Sequence, residues 1–357
     1  MTNQPSAIPS SWQSYLEQNQ AHYDAHGALR YVGLDPQHAQ ANAWQALQQG
    51  RSLLVPLLRH TPLQLRGDDR LDFLHGQVSN DVKGLTVGGC NRALMLNIKG
   101  HALALLSVYR REDDVFVAVE DGAGELTQKQ LQAHIIFDQV SIHNLQGTLL
   151  SLSLQGQNAA SVLRDSLGCE SLPSEGSFLH CDFASAKLLI APRQRSRYGG
   201  YDLHVLSQDA AALCEQLQAH GAQLAGEAVL DIARVEAGIA NVANEAAGGI
   251  LPQEAGLEPA ISYRKGCYLG QEIMARIEAR GNVRRSLVGL RLSTMPDTHA
   301  PDIHAQGKRV GQLGTVLEHP DLGVIALAVL RNDVQEGLEV NGIPAERQPL
   351  PFVKTDA

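Results

Sequence analysis

Apolar and polar residues alternate in Leu63-Gln64-Leu65-Arg66-Gly67, a strand period that stops at a glycine. The period then changes: Leu71, Leu74 and Val78 fall on one helical face behind Asp68, which can cap that helix. The same plan recurs downstream. Leu152-Ser153-Leu154-Gln155-Gly156 alternates and ends at a glycine, and the next helix sets Ala160, Val162 and Leu163 where Leu71, Phe73 and Leu74 stand in the first copy. Leu94 to Tyr109 and Val115 to Glu120 read as strands before a helix from Glu125. Phe178 to Pro192 and Tyr201 to Leu206 read as strands before a helix from Gln208. An α+β chain with duplicated βαββα halves is therefore expected, each half packing helices on one face of a mostly antiparallel sheet. A period this long marks a two-lobed duplication and not a solenoid.

The pattern changes after Asn282. Short alternating runs (Leu287 to Leu292, Val310 to Leu317, Val324 to Leu330, Leu338 to Val340) are separated by Gly, Pro, Asp and Asn, which predicts a small β barrel or sandwich. The opening residues, rich in Gln, Ala and His, carry helical patches without a clear core face. The expected division is an N-terminal arm over 1–49 packed on the first half, a first half over 50–147, a second half over 148–282, and a C-terminal β barrel over 283–357.

At 357 residues, two or three domains are expected. The 29 Lys and Arg against 38 Asp and Glu leave a net charge of -9, which argues against a surface made for nucleic-acid phosphates. Five scattered cysteines (Cys90, Cys169, Cys181, Cys214, Cys267) include no Cys-x-x-Cys pair, so no zinc or iron-sulfur ligand set is expected and a reducing compartment is. No secretory leader and no long apolar run is visible, which predicts a cytoplasmic protein without a membrane span.

The densest chemistry lies in Lys265-Gly266-Cys267-Tyr268-Leu269-Gly270-Gln271-Glu272. A neighbouring Lys265 and the N-terminus of a helix beginning near Gln271 would each favour the Cys267 thiolate, the nucleophilic form. The alternative is that Cys267 is a small buried hydrophobe in a helix-entry turn. On the helix from Gly226 to Ala237, Glu236 falls on the apolar face with Val229, Ile232 and Ala233. A carboxylate there must meet an Arg or Lys, reach solvent at the helix end, or bind a ligand with N–H groups. Arg193, Arg195, Arg197 and Tyr198, with Arg276, Arg280, Arg284 and Arg285, form a local positive cluster that could take an anionic ligand or be a solvated face. Phe73 to Asp81 and Asn97-Ile98-Lys99-Gly100 are Gly-interrupted polar turns, and Cys214 reads as core.

The cysteine segment, followed by Ala275-Arg276 and Arg280-Gly281, resembles the signature of the YgfZ family of tetrahydrofolate-binding proteins, relatives of the glycine-cleavage T-protein. Gly67-Asp68, Phe73 to Asp81, Asn97-Ile98-Lys99-Gly100, Arg234-Val235-Glu236-Ala237-Gly238, Leu251-Pro252-Gln253-Glu254 and Leu350-Pro351-Phe352 also match, so the resemblance covers most of the chain beyond its first few dozen residues. It implies a three-domain T-protein-like ring with a central folate hole and a terminal barrel, and a role in assembling or repairing iron-sulfur proteins, including enzymes that modify transfer RNA. It also implies tetrahydrofolate as cofactor, with Glu236, Arg197, Tyr198, Asn97, Tyr268 and Gln271 as expected contacts. If the folate is polyglutamylated, its carboxylates are expected to meet part of the arginine cluster. One departure stands out. Where aminomethyltransferases carry an essential acidic pair after a Gly-Gly turn, this chain has Ala104-Leu105 after Gly100-His101, removing a carboxylate that assists methylene transfer.

The reading that results is a folate-binding protein with iron-sulfur client or assembly partners, in which Cys267 is the reactive group, Lys265 its neighbour and Glu236 orients the pterin. No nucleic acid is contacted directly. A folate-dependent one-carbon transferase and a noncatalytic client-docking scaffold are the alternatives, and whether a reaction is catalysed stays open.

Overall fold

Leu63 and Leu65 are fully buried in the strand Thr61–Arg66 of the computed structural model, which describes residues 9–281, 283–297 and 302–354. The boundary expected at residues 282 and 283 falls at Asn282, outside the described residues. The chain forms two units: Met1–His75, Asp81–Arg92 and Leu106–Asp231 make the first, and Gly76–Asn80, Ala93–Leu105 and Ile232–Ala357 the second.

Each copy of the repeat has one strand more than expected. The first runs through strand Thr61–Arg66, helix Arg70–Gln77, strands Cys90–Leu96, Ala102–Arg110 and Val115–Val119, and helix Gly124–Ala133. The second runs through strand Leu149–Gln155, helix Ala159–Leu167, strands Leu179–Phe183, Ala186–Pro192 and Gly200–Leu206, and helix Ala210–Ala219. The runs Leu94 to Tyr109 and Phe178 to Pro192, read as single strands, are hairpins, so each copy is βαβββα. One turns at Asn97–Gly100, where Asn97 Oδ1 accepts the Lys99 and His101 amides and Gly100 takes a φ of 75°. The other turns at Ala184, whose φ is 48°.

In the first unit, a six-stranded sheet has the order Leu179–Phe183, Ala186–Pro192, Gly200–Leu206, Leu149–Gln155, Ser52–Pro56, Ala222–Leu224. Ser52–Pro56 precedes the first copy in sequence, yet it pairs antiparallel with Leu149–Gln155 and parallel with Ala222–Leu224. Leu54, Leu154, Leu163, Leu203 and Leu213 form the core of this layer together with Trp12. Within the arm, helix Pro36–Gln48 lies against strand Ser52–Pro56, while helix Ser10–Gln18 packs on second-copy residues and Tyr15 donates its hydroxyl to Gln218 Oε1 at 2.6 Å. Its core face was hard to read because Trp12, Tyr15 and Leu16 stand among Ser, Gln and Glu. The second sheet has the order Cys90–Leu96, Ala102–Arg110, Val115–Val119, Thr61–Arg66, Ser141–Asn144. Its Tyr109 and Phe116 stack at 5.5 Å and meet Phe178 and Leu189.

In the second unit, Arg285–Leu292, Gly323–Arg331, Lys308–His319, Asp302–Ala305, Leu338–Val340 and Ile343–Gln348 form a closed barrel. It closes where Arg285–Leu292 pairs with Ile343–Gln348, and it is filled by Leu290, Ile303, Ala326, Ala328, Leu330 and Val340. Asp302–Ala305 and Ile343–Gln348 escaped the sequence reading because their apolar alternation is short and mixed with charge.

Candidate functional site

Ser79 ties together the floor beneath the cysteine segment. Its hydroxyl donates to the Ala260 carbonyl at 2.6 Å and accepts the Leu94 amide at 2.8 Å, while its carbonyl accepts the Ser262 amide at 2.9 Å. Beside it, the carbonyl of the fully buried Val78 accepts the Lys265 ammonium at 2.6 Å. That ammonium also lies 4.7 Å from the centre of the Tyr268 ring, a cation–π contact made almost out of reach of water. Lys265 thus anchors the segment from below, and the Cys267 side chain is exposed. Burial pushes the Tyr268 hydroxyl up to about 12, so it stays protonated.

The turn closes on Gly270, the residue before helix Gln271–Arg280, with a φ of 86°. A Cβ at Gly270 would stand 2.8 Å from the Asn97 carbonyl oxygen, so glycine is required by conformation and by space. Gln271 Oε1 accepts the Tyr268 amide at 3.3 Å, and the Gln271 amide is given to the Tyr268 carbonyl at 3.2 Å. Asn97, Tyr268 and Gln271 are therefore brought together around the cysteine turn. Ile98 and Leu269 are exposed beside that contact.

Glu236 belongs to a different cluster of the same unit. It ends helix Glu227–Glu236, whose Val235 packs on Ile325 and Leu327 of the barrel. Its carboxylate is buried and faces His319 Nε2 at 3.4 Å, and its carbonyl accepts the Phe352 amide at 2.9 Å. Because His319 Nδ1 accepts the Asp321 and Leu322 amides, at 3.1 and 3.2 Å, the ring proton sits on Nε2, toward Glu236. A histidine faces the carboxylate, a partner outside the three outcomes open from the sequence, which were an Arg or Lys, solvent at the helix end, or a ligand with N–H groups.

The arginine cluster is corrected by burial. In the first unit Arg193 meets Glu120 at 2.7 Å, and Arg195 meets Asp202 at 2.7 Å and Glu120 at 3.3 Å, all four with little exposure. Asp202 also accepts the Ser153 hydroxyl at 2.9 Å. Burial alone would raise the Glu120 carboxyl, yet Arg193 and Arg195 hold it far below the usual carboxylate range. Burial, with Arg195 adding to it, pushes His60 down to about 4. Arg193, together with burial, draws Arg92 down to about 10. In the second unit Arg285 is paired with Glu254 at 2.6 Å. These arginines neutralise internal acids and do not form an anion-receiving face. Arg197 donates to the Tyr198 hydroxyl at 2.6 Å and lies 4.7 Å from the centre of its ring, within the first unit. Arg276 and Arg284 are exposed, and the Arg280 side chain lies outside the described residues.

Sequence reasoning missed a buried polar knot in the second unit. Glu245 accepts the Asn241 amide at 2.8 Å, Arg234 Nη1 at 3.2 Å and the Thr315 amide at 2.8 Å, while Arg234 Nη2 donates to the Thr315 hydroxyl at 2.6 Å. Gly314 permits this approach, since a Cβ there would come within 2.8 Å of Glu245 Oε1. The one available signal was Arg234 within the Arg234-Val235-Glu236 run. Among the described residues, no group of three or more His, Cys, Asp or Glu is placed to hold a metal ion, and no helix is long and apolar enough to cross a membrane.

Paired sheets followed by a closed barrel define a protein of the aminomethyltransferase fold. The crystal structure of glycine cleavage system aminomethyltransferase T from Bartonella henselae superposes with a TM-score of 0.81 at 20% identity, covering 97% of this chain and 98% of that one. The sequence profile of the GCVT N-terminal domain matches residues 41–265, and the chain belongs to that family. An aminomethyltransferase of Listeria monocytogenes (serotype 4a, strain HCC23) is 26% identical over 302 residues, 81% of this chain and 83% of that protein. One of Anoxybacillus flavithermus is 28% identical over 309 residues, 82% and 84% of the two chains.

Proposed function

We propose that the chain binds a tetrahydrofolate and supports the assembly or repair of iron-sulfur enzymes, transfer-RNA-modifying enzymes among them, as the YgfZ-type proteins it resembles do. Cys267 is the reactive group in this reading. The observation that carries it is an exposed thiol on a turn whose lysine, glycine and glutamine are all committed to holding the turn in place. A fixed, accessible thiol suits exchange with a damaged cluster or transient ligation of its iron, and the exposed Ile98 and Leu269 offer a client an apolar contact. Lys265 acts as a positioning residue.

The folate is supported by the family, whose named relatives are aminomethyltransferases. The Asn97 side-chain oxygen closes the turn at 97–101 and that of Gln271 the cysteine turn, bonds that use the oxygens and not the side-chain amide N–H groups. Glu236 orients the pterin only by exchanging His319 for the ligand's N–H groups.

Aminomethyl transfer is the second reading, favoured by the names of the relatives. Against it stand Ala104 and Leu105, buried in the apolar strand Ala102–Arg110 where aminomethyltransferases carry an acidic pair. Calorimetric titration with tetrahydrofolate beside an aminomethyl-transfer assay separates the two. Binding without transfer is expected; turnover typical of an aminomethyltransferase would establish the second reading, and absence of binding to any reduced folate would remove the cofactor.

A further inference from the structure

Cys169 and Cys181 are distant from the cysteine segment in sequence and belong to the first unit. Cys169 follows Gly168, which ends helix Ala159–Leu167 with a φ of 66°. Cys181 is the middle residue of Leu179–Phe183, the edge strand of the six-stranded sheet, and points inward with Leu179 and Phe183. The two sulfurs are 3.0 Å apart, and both thiols point at the Leu167 carbonyl, at 3.9 and 3.8 Å. Forming a disulfide of about 2.05 Å from this arrangement needs an approach of about 1 Å. Cys169 is nearly buried and Cys181 half-buried, so the pair has one outer thiol for a small oxidant and one inner thiol behind it. Two sulfurs held in contact react as if at very high local concentration.

We propose that Cys169 and Cys181 form a reversible intramolecular disulfide when the protein meets a hydroperoxide. The Cys181 sulfur, its proton lost to solvent, attacks the terminal peroxide oxygen; the O–O bond breaks, leaving a sulfenic acid and an alkoxide that takes up the proton as an alcohol, or as water for hydrogen peroxide. The Cys169 sulfur then attacks the Cys181 sulfur, the S–O bond breaks, and hydroxide leaves with the Cys169 proton as water. Two thiols lose two electrons in all, and the peroxide gains them. The bond ties the end of helix Ala159–Leu167 to the sheet edge. Burial and the adjacent Cys181 thiol push Cys169 up to about 12, so closure speeds up as pH rises.

The test treats the whole chain with hydrogen peroxide, alkylates the remaining thiols under denaturing conditions, and digests with trypsin without reduction. One peptide, Asp165 to Lys187, contains Cys169 and Cys181 and no other cysteine. After peroxide it is expected to take up no alkyl group and to be lighter by two hydrogen atoms than the reduced, unalkylated peptide; dithiothreitol before alkylation restores both alkylation sites. In the Cys169→Ser protein, Cys181 is expected to be trapped as a sulfenic acid by dimedone, whereas the parent gives little adduct. Double alkylation of the parent peptide after peroxide would overturn the proposal. So would a Cys181 sulfinic acid beside an alkylated Cys169.

Discussion

The Lys265 ammonium donates to the Val78 carbonyl at 2.6 Å, under the turn that carries Cys267. Val78 is fully buried, so removing this donor leaves its carbonyl without that partner and without water to replace it. Lys265→Met keeps most of the aliphatic stem and deletes the charge. It is expected to cost about 1–3 kcal/mol, read as a lower urea midpoint with an unchanged slope. An unchanged midpoint would show that Lys265 does not hold the turn.

Cys267 is expected to be labelled first among the five thiols at neutral pH. Burial pushes Cys90 up to about 11, burial and its neighbour push Cys169 up to about 12, and burial raises Cys214 further, while Cys267 is exposed. Limited alkylation followed by peptide mapping reads the order directly. Cys267→Ser, at an exposed position, should change stability by no more than about 1 kcal/mol. Faster labelling of any of the other four would contradict this order.

Asp202 is buried with Arg195 at 2.7 Å and the Ser153 hydroxyl at 2.9 Å. Breaking a buried pair from one side strands the other charge, so Asp202→Ala is expected to destabilise by about 3–5 kcal/mol. Chemical denaturation measures it. A loss below about 1 kcal/mol would mean that the network is open to water.

Glu227 supplies a pH dependence. Burial first, and Asp231 second, raise its carboxyl from 4.5 to about 8, against the pull of Arg30, and its Oε1 has no hydrogen-bond partner. The folded chain thus holds a proton that the unfolded chain releases above about 4.5. The group's contribution to stability is complete below that pH and is lost as pH rises toward 8. Glu227→Gln is expected to match the parent at pH 4 and to melt several degrees higher at pH 8, about a few kcal/mol. Parallel melting curves across that range would contradict the assignment.

What the sequence made legible was local. Leu63 and Leu65, Leu152 and Leu154, and the barrel runs were readable because alternation fixes the buried face of a strand. Inside Leu94 to Tyr109 the polar Asn97–Gly100 turn was visible but was not used to split the strand, and inside Phe178 to Pro192 the turn at Ala184 has no Gly or Pro to mark it. The pairing of Ser52–Pro56 with Leu149–Gln155 and the contact of Cys169 with Cys181 join residues far apart or without a spacing rule, so no local pattern reports them. The arginine cluster was misread for a similar reason. Arg193 and Arg195 look cationic along the chain, yet Asp202 faces Arg195 across the hairpin of Ala186–Pro192 and Gly200–Leu206, and Glu120, which meets both, follows a strand of the other sheet. Glu236 was rightly marked as a buried carboxylate, but its partner His319 lies in the barrel.

The most direct test of the proposed function is the activity of iron-sulfur enzymes in cells that lack this protein, grown under peroxide stress and complemented with the parent or with Cys267→Ser. The account predicts that the parent restores those activities and that Cys267→Ser, present at the same level and with the same melting temperature, does not. Equal restoration by both would contradict it.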